Sequence, residues 1–426
     1  MSTFVFTSQP AMGHLNSLLT IAQQLKLKGH DIVFICSGPK NIEQNIINKG
    51  FSTIRIRDAL SSPGFALLPL FSGYTETFIA FKLFFGGLYH YTKTISSILN
   101  ELKPVAVISD FGFPAGGLAA ELNNIPYVIV YSAGLYQKGD GIPPMGSGLP
   151  IGEDWGFKGK LYNFMTDLLT KNIDNTVLHI RKKLNLKPIE KGKWAWLSSP
   201  WLTLVLTDEC IEAPRYPFLP TNFFIGPCFS GRDKEGKSDF PYEKFSPDKP
   251  KIYVSLGTVF NKKPQVFNKI IKAFINEPYQ LIISAGKSFP FLTSKELPSN
   301  VLVFERVPQI EVIHKVDVVI SHGGNNTVNE TLAAGKPLLV TPVGGEQGDN
   351  AARIVYLGAG LRADLKKASC EEIKTKIKKL IEDSNFSKRA KEIALNLKKT
   401  DGTATAVKLI EHLVKTQKPL LRTEPS

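Results

Sequence analysis

Short runs of apolar residues alternate with longer amphipathic segments along the first 130 residues. The runs that predict β-strands are residues 4–7, 32–35, 53–56, 105–109 and 127–130. The segments that predict helices are residues 15–28, 42–49 and 116–122. Alternating strands and helices are typical of βαβ units with a parallel sheet. The strand runs are apolar throughout, as expected where helices cover both faces of the sheet.

The same alternation starts again after residue 250. It predicts strands at 252–256, 280–284, 301–304, 318–321 and 338–340, and helices at 264–276, 326–334 and 347–357. The stretch between the two halves is rich in Gly, Pro and charge, which is typical of a linker. We therefore predict an α/β protein with two Rossmann-like, doubly wound domains facing each other across a cleft. The predicted parts are domain 1–229, linker 230–250, domain 251–410 and tail 411–426.

Composition supports a folded protein of two domains. The chain has 426 residues, of which 43% are hydrophobic and 21% charged, so it does not resemble a disordered chain. No run of roughly 18 apolar residues predicts a membrane span. The start of the chain lacks the pattern of a secretory signal, and the four cysteines are scattered without a CxxC motif. We predict a cytoplasmic protein with reduced cysteines.

The net charge of +14 admits three interpretations: binding to nucleic acid, to an anionic membrane surface, or to an anionic small substrate. No RNA-binding signature or zinc-finger spacing is present, so we predict no nucleic-acid partner. The last 39 residues carry nine Lys/Arg against four Asp/Glu. A solvated helix face or a peripheral contact with a membrane explains this excess, and both remain open.

Two residues at predicted strand ends suggest proton transfer. His14 follows the first strand in the turn that contains Gly13, and Asp110 follows the strand at 105–109. A histidine is suited to accept a proton near neutral pH, and an acidic partner can orient its ring and stabilise imidazolium. The alternatives are a histidine that merely begins a helix and an aspartate that caps one.

A second group of polar residues follows the strand at 318–321. His322, Gly323 and Gly324 form a turn of small residues before a helix, where backbone N–H groups can face a phosphate. The spacing is neither that of a P-loop nor that of the GxGxxG fingerprint. Further along the chain, Glu346 and Gln347 can together bind neighbouring hydroxyl groups of a sugar.

The spacing of these residues resembles the donor-binding signature of UDP-dependent glycosyltransferases of the two-Rossmann-domain type, which include bacterial macrolide and plant secondary-product enzymes. The likeness extends over nearly the whole chain. The matching signature residues are Pro308, Gln309, His322, Gly324, Asn326, Thr327, Glu330, Glu346 and Gln347. The segment 12–16 resembles the loop that carries the family's catalytic histidine, and the segment 107–110 resembles the strand that carries its aspartate.

The resemblance implies roles for these residues. The first domain would bind the acceptor, with His14 as general base and Asp110 as its partner, and the second would bind the nucleotide-sugar donor. The donor-binding residues implied are Gly13, Gly257, Thr258, Ser284, Arg306, Val307, Gln309, His322, Gly324, Asn326, Thr327, Glu330, Glu346 and Gln347. Among these, His322, Asn326 and Thr327 would hold the diphosphate, Glu330 the ribose, Glu346 and Gln347 the sugar, and Val307 and Gln309 the base.

Three positions depart from the family pattern. Arg306 stands where plant members have a Trp that stacks on the base, and Phe304 is a second candidate for that contact. Asn325 stands at a position often occupied by Trp, and Ser17 replaces a common Pro. These departures leave the choice between UDP and TDP open.

The resemblance implies an inverting transfer of a hexose, with glucose favoured by Glu346 and Gln347, onto a hydroxyl group of a small molecule. No Asp-x-Asp pair predicts a metal site, so we expect neither a metal nor another cofactor. Two alternatives keep the fold: a nucleotide-sugar epimerase or hydrolase, and a nucleotide-sugar-binding protein without catalysis.

Aromatic and apolar residues of the first domain suggest an apolar acceptor such as a polyketide, terpenoid, sterol, carotenoid or lipid. The predicted acceptor-binding residues are Phe65, Phe81, Phe85 and Met145. Ordinary helix packing is the alternative explanation for the segment 59–91. The protein is expected to be a monomer or a homodimer.

Overall fold

The computed structural model describes residues 1–56, 85–135, 139–190, 195–213, 218–229, 240–257, 264–294 and 296–422. Three of the residues singled out above, Phe65, Phe81 and Thr258, lie outside these ranges.

The first domain is built on a parallel sheet that has seven strands among the described residues, in the order β3-β2-β1-β4-β5-β6-β7. The strands are β1 (Thr3–Thr7), β2 (Asp31–Cys36), β3 (Ser52–Arg55), β4 (Ala106–Asp110), β5 (Tyr127–Tyr131), β6 (Leu202–Val205) and β7 (Asn222–Phe224). The helices are α1 (Met12–Leu27), α2 (Lys40–Asn48), α3 (Leu88–Leu102), α4 (Ala115–Leu122) and α5 (Gly156–Lys183), with a short 3₁₀ helix at Ala195–Leu197. The five strands predicted in this half are confirmed to within one residue at each end.

Strand β1 shows why these runs are apolar throughout. Phe4 and Phe6 pack on one face of the sheet, in a cluster that includes Leu18 of α1. Val5 points to the other face and joins a cluster that includes Leu99 of α3. All three strand residues are fully buried, because successive side chains of a strand face opposite sides and helices cover both.

The second domain repeats this plan. Within the described ranges its sheet has six parallel strands in the order β10-β9-β8-β11-β12-β13. The strands are β8 (Lys251–Ser255), β9 (Gln280–Ser284), β10 (Val301–Phe304), β11 (Val318–Ser321), β12 (Leu338–Val340) and β13 (Gly360–Arg362). The helices are α6 (Pro264–Phe274), α7 (Phe289–Leu292), α8 (Gln309–His314), α9 (Asn325–Ala333), α10 (Gln347–Tyr356), α11 (Cys370–Glu382), α12 (Ser384–Leu397) and α13 (Gly402–Thr416), with 3₁₀ helices at Tyr242–Lys244 and Gly286–Ser288. The predicted fold class, two Rossmann-like domains, is confirmed.

The last helix, α13, returns to the first domain. Asp401 caps it by accepting hydrogen bonds from the N–H groups of Thr403 (2.9 Å) and Ala404 (3.1 Å). The buried side of α13, which includes Val407 and Ile410, belongs to the same cluster as Phe4. The boundary placed at residue 410 falls inside this continuous helix, so the structure corrects it: the helix is one unit and its apolar face covers the first sheet.

No helix within the described ranges is both long enough and apolar enough to span a membrane.

Candidate active site

The topology brings His14 and Asp110 together. Strands β1 and β4 are parallel neighbours, with Thr7 paired to Ser109, and the strand order reverses between them. A reversal of this kind opens a crevice at the carboxyl ends of the strands, where α/β proteins bind ligands. His14 Nδ1 lies 3.0 Å from Asp110 Oδ1. The two residues at the carboxyl ends of these strands are therefore in contact, as the pairing of a histidine with an acidic partner requires.

The surroundings of His14 fix its orientation. Asp110 is 1% exposed, and one of its oxygens also accepts a hydrogen bond from the N–H of Gln9 (3.4 Å). The imidazole stacks on the Phe111 ring, with centroids 5.3 Å apart, and Phe111 stacks in turn on Tyr131 at 4.4 Å. Because Nδ1–H donates to Asp110, Nε2 is the basic nitrogen of the neutral ring. The His14 side chain is 25% exposed, so it is accessible to a substrate.

The electrostatic environment strengthens His14 as a base. Burial alone would lower the pKa of His14, but the charge of Asp110, its hydrogen bond to the ring, and the charge of Glu346 outweigh burial. The pKa of His14 is therefore raised above its ordinary value of 6.5. Glu346 belongs to the second domain, so a predicted sugar-binding residue lies near enough to affect the predicted base.

His322 lies between two glycines at the start of α9. A Cβ atom on Gly257 would lie 2.5 Å from His322 Cε1, and one on Gly324 would lie 2.7 Å from its Nε2. Gly257 also has a φ of +72°, which side chains rarely adopt. Burial lowers the pKa of His322 to about 4, although a hydrogen bond with the Ser255 backbone opposes the shift. The ring is therefore neutral at neutral pH, carries a single N–H, and lies beside the N-terminus of α9.

Glu330 is held in place by Gln309. The Gln309 amide donates to Glu330 Oε2 (2.5 Å) and Thr327 Oγ1 (3.3 Å), while its carbonyl oxygen accepts from Tyr253 (2.9 Å) and Ser255 (3.3 Å). These bonds occupy both ends of the side chain. The structure therefore places Gln309 as a support for Glu330, whereas the resemblance implied a contact with the base.

Glu346 and Gln347 lie where α10 begins. The side-chain oxygen of Gln347 accepts hydrogen bonds from the N–H groups of Val343 (2.8 Å) and Gly344 (3.2 Å), so its amide NH₂ is the group available to a sugar. One turn later Asn350 donates to the Gly323 carbonyl oxygen (2.8 Å). This bond ties the start of α10 to the turn that contains His322.

The remaining donor-side residues border the same edge of the second sheet. Ser284 ends β9, and Val307 is partly buried beside α8, whereas Arg306 is exposed. The Phe304 ring packs on Phe240 with centroids 4.6 Å apart. Aromatic residues of the segment 240–245, which the sequence analysis assigned to the linker, thus pack on the second domain.

The described acceptor-side residues differ in their surroundings. Phe85 is 5% exposed and packs edge-to-face on Trp196, with centroids 5.1 Å apart. Met145 is partly buried against the same apolar cluster, which also contains Phe111. Phe85 is thus part of the core beneath the His14 site, which matches the packing alternative, while Met145 lies at the border of the core.

Three amide side chains of α9 connect the domains. Asn325 donates to the Ser132 carbonyl oxygen (2.8 Å), Asn326 to that of Gly13 (2.8 Å), and Asn329 to that of Leu206 (3.2 Å). The Asn326 bond links the predicted diphosphate-binding helix directly to the loop that carries His14. The roles of Asn325 and Asn329 could not be predicted from local sequence patterns, because their partners lie in the other domain.

A glycine-rich loop of the first domain also contacts the start of α10. Asp349 accepts hydrogen bonds from the N–H groups of Gly146 (2.6 Å) and Gly148 (2.9 Å), and Arg362 donates to the Gly148 carbonyl oxygen (2.5 Å). A Cβ on Gly148 would lie 3.1 Å from the Gly348 Cα, so the two backbones touch. The loop that contains Met145 is thereby held beside Glu346 and Gln347.

No cluster of three or more His, Cys, Asp or Glu side chains suited to a metal occurs among the residues that the structure describes. That the protein needs no metal stays a prediction.

Several solved structures that share this fold are glycosyltransferases. The calicheamicin glycosyltransferase CalG4 aligns over 100% of both chains, with a TM-score of 0.77 and 19% identity. The glycotransferase of kitacinnamycin aligns over 96% of this chain and 98% of its own, with a TM-score of 0.76 and 19% identity. The fold is thus that of the two-domain, GT-B class of glycosyltransferases.

Comparison of sequences identifies the family. Residues 155–401, more than half of the chain, match the family described as UDP-glucoronosyl and UDP-glucosyl transferase. The NDP-glycosyltransferase YjiC of Bacillus subtilis is 25% identical over 95% of this chain and 96% of its own. The zeaxanthin glucosyltransferase of Pantoea ananas is 25% identical over 99% of this chain and 98% of its own. The chain belongs to the UDP-glucoronosyl and UDP-glucosyl transferase family and is a glycosyltransferase.

Proposed function

We propose that the protein transfers a hexose, glucose in the first instance, from a UDP-sugar to a hydroxyl group of a small apolar acceptor, with inversion at the anomeric carbon. The observation that carries this proposal is the position of His14. It is paired to Asp110 at 3.0 Å and lies within electrostatic reach of Glu346 at the start of α10. Base and predicted sugar site therefore face one another across the cleft between the domains.

In the proposed mechanism His14 activates the acceptor. Its Nε2 accepts the hydroxyl proton as the acceptor oxygen attacks the anomeric carbon, and Asp110 stabilises the imidazolium that forms. The bond between the anomeric carbon and the diphosphate oxygen breaks in the same step, and the diphosphate leaves with the electron pair. The N-terminus of α9, beside which the neutral His322 ring lies, stabilises the charge that develops on this leaving group.

The apolar acceptor is supported by Met145, which is partly buried at the border of the core beneath His14. Phe111 and Tyr131, the stacked pair next to the imidazole, are only 6% and 2% exposed and belong to that core. An apolar side chain at the border of the site favours an acceptor with an apolar body and one reactive hydroxyl group. The zeaxanthin glucosyltransferase relative is named for a glucosyl transfer to an apolar molecule, which agrees with this assignment.

Titration calorimetry with nucleotide sugars tests the donor assignment. We expect UDP-glucose to bind more tightly than UDP-N-acetylglucosamine or UDP-glucuronate, without added metal, because Glu346 and the Gln347 amide can bind hydroxyl groups of glucose. Titration with TDP-glucose, which carries the same sugar, tests the choice of nucleotide separately. Glu346→Gln should weaken binding of UDP-glucose and leave UDP binding unchanged, since the base and ribose contacts lie elsewhere. Equal binding of all donors, or loss of UDP binding in this variant, would contradict the assignment.

A donor turnover assay separates the transferase from its alternatives. With purified protein and UDP-glucose alone, a hydrolase or epimerase would consume the donor, whereas the proposed transferase requires an acceptor hydroxyl group. A non-catalytic binding protein would consume no donor with any acceptor in a panel of apolar alcohols. Donor consumption that begins only on addition of an acceptor supports the proposal.

The raised pKa of His14 predicts the pH profile. The base must be neutral, so the logarithm of kcat/KM should rise with pH and level off above an inflection that lies higher than 6.5, the ordinary value. Asp110→Asn removes the negative charge beside the His14 ring, which lowers the pKa of His14. The inflection in the profile of this variant should therefore move to lower pH. The measurement is kcat/KM from pH 5 to 9 for both proteins. An inflection that does not move in Asp110→Asn would rule out His14 as the titrating group.

A further inference from the structure

Helix α5 exposes a stripe of large apolar side chains. Their exposed fractions are 82% for Phe157, 47% for Leu161, 67% for Phe164, 37% for Met165 and 50% for Leu168. The spacing places all five on one side of the helix. We call these five residues the α5 stripe.

The α5 stripe faces away from the core formed by the described residues of the first domain. The opposite side of the helix, which includes Leu169, Ile173 and Val177, is buried in the core of the first domain. Beyond Leu168 the outward side becomes polar, with Lys171 and Asn175 both exposed. Isolated apolar residues are common on protein surfaces, but a contiguous patch marks an interaction site. The change from apolar to polar along one helix confines that site to its N-terminal half.

Charge identifies the partner. Lys158 and Lys160 flank the α5 stripe, and the exposed Asp167 also borders it. Over its whole length the helix carries six Lys/Arg against two Asp/Glu, and the other four basic residues follow the stripe in the polar half. The chain as a whole has a net charge of +14, so two copies would repel each other, whereas an anionic surface would attract either one. An apolar stripe bordered by lysines is the arrangement with which amphipathic helices lie in the interface of anionic membranes.

We propose that the α5 stripe docks the protein on an anionic lipid bilayer, with Phe157, Phe164 and Leu168 inserted below the headgroups. Lys158 and Lys160 would then contact lipid phosphates. This surface goes beyond the proposed transfer reaction and does not require it. If the reaction is as proposed, docking would bring the first domain to the phase in which apolar acceptors dissolve.

Vesicle flotation tests the proposal. The full-length protein should float with vesicles of phosphatidylcholine and phosphatidylglycerol, and binding should fall with added salt and with vesicles of phosphatidylcholine alone. The triple variant Phe157→Ser, Phe164→Ser, Leu168→Ser should lower the partition coefficient more than about tenfold. A matched control removes exposed apolar side chains elsewhere: Phe291→Ser and Leu395→Ser, at residues 67% and 64% exposed, should leave binding unchanged.

Insertion can be observed directly. The variant Phe164→Trp should show a blue-shifted tryptophan emission on mixing with anionic vesicles and quenching by lipids brominated near the headgroup, relative to the same protein without the Phe164 change. No flotation of the wild-type protein, or flotation that the triple variant retains, would overturn the proposal. A dimer in light scattering that the triple variant dissociates would also overturn it, because the stripe would then bind a second copy.

Failure of docking and failure of the proposed reaction are distinguishable. Transfer to a water-soluble acceptor without vesicles does not involve the α5 stripe, so the triple variant should retain wild-type kcat there.

Discussion

Replacing His14 with alanine is expected to lower kcat by about 10²- to 10⁴-fold, since a positioned general base contributes that much to a proton transfer. The change removes the nitrogen that accepts the acceptor proton but no group predicted to hold the donor. The Kd for UDP-glucose should therefore stay close to that of the wild-type protein. Steady-state kinetics with a saturating acceptor, together with calorimetric titration of the donor, measure both quantities.

Asp110→Asn is a second variant that tests the same mechanism. It keeps a side-chain oxygen near His14 Nδ1 but removes the charge that stabilises imidazolium, so kcat should fall with unchanged donor affinity. If His14→Ala retained wild-type kcat, another group would be the base. If it abolished donor binding, His14 would belong to the donor site, and the proposed mechanism would be wrong.

Strands and strand-end residues could be predicted because their signals are local. A strand covered on both faces must be apolar at every position, and β1, with Phe4, Val5 and Phe6 all buried, shows this directly. Parallel strands also deliver their next residues to one edge of the sheet. The meeting of His14 and Asp110 therefore required only that β1 and β4 be neighbours, as they are.

Residues whose partners lie in the other domain could not be predicted in this way. Asn325 was noted only as a departure from a family pattern, and its bond to Ser132 depends on how the domains meet. Asp349 gave no signal either, because its partners are backbone N–H groups 201 and 203 positions away in the chain. The local periodicity of a sequence carries no information about contacts between residues that are so far apart along the chain.

Helix α13 shows the same limit for domain assignment. Its residues are amphipathic, but an apolar face does not specify which core it covers. The helix follows the second domain in sequence and packs on the first, beside α1. An assignment by chain order alone therefore ended the second domain inside an element that does not belong to its core.

One contact between the domains is a buried ion pair. Arg353 of α10 lies 3.4 Å from Glu212, and their side chains are 4% and 1% exposed. Glu212 also accepts a hydrogen bond from the N–H of Leu135 (3.4 Å). The Arg353 guanidinium lies against Gly134, where a Cβ would clash with it. The pair therefore links the segment after β6 to the helix whose first residues are the predicted sugar ligands.

Glu212→Ala should destabilise the protein by about 3–5 kcal/mol, because it leaves the Arg353 charge buried without its counter-ion. The double variant Glu212→Ala, Arg353→Met removes both charges and should recover most of that loss, since an apolar replacement of a buried pair is often near neutral.

A matched control is Glu392→Ala, which breaks the exposed pair of Arg389 and Glu392 and should cost less than about 1 kcal/mol. Urea unfolding of the four proteins measures these free energies. A loss in Glu212→Ala no larger than that in Glu392→Ala, or a double variant no more stable than Glu212→Ala, would show that the buried charge of Arg353 is not what Glu212 compensates.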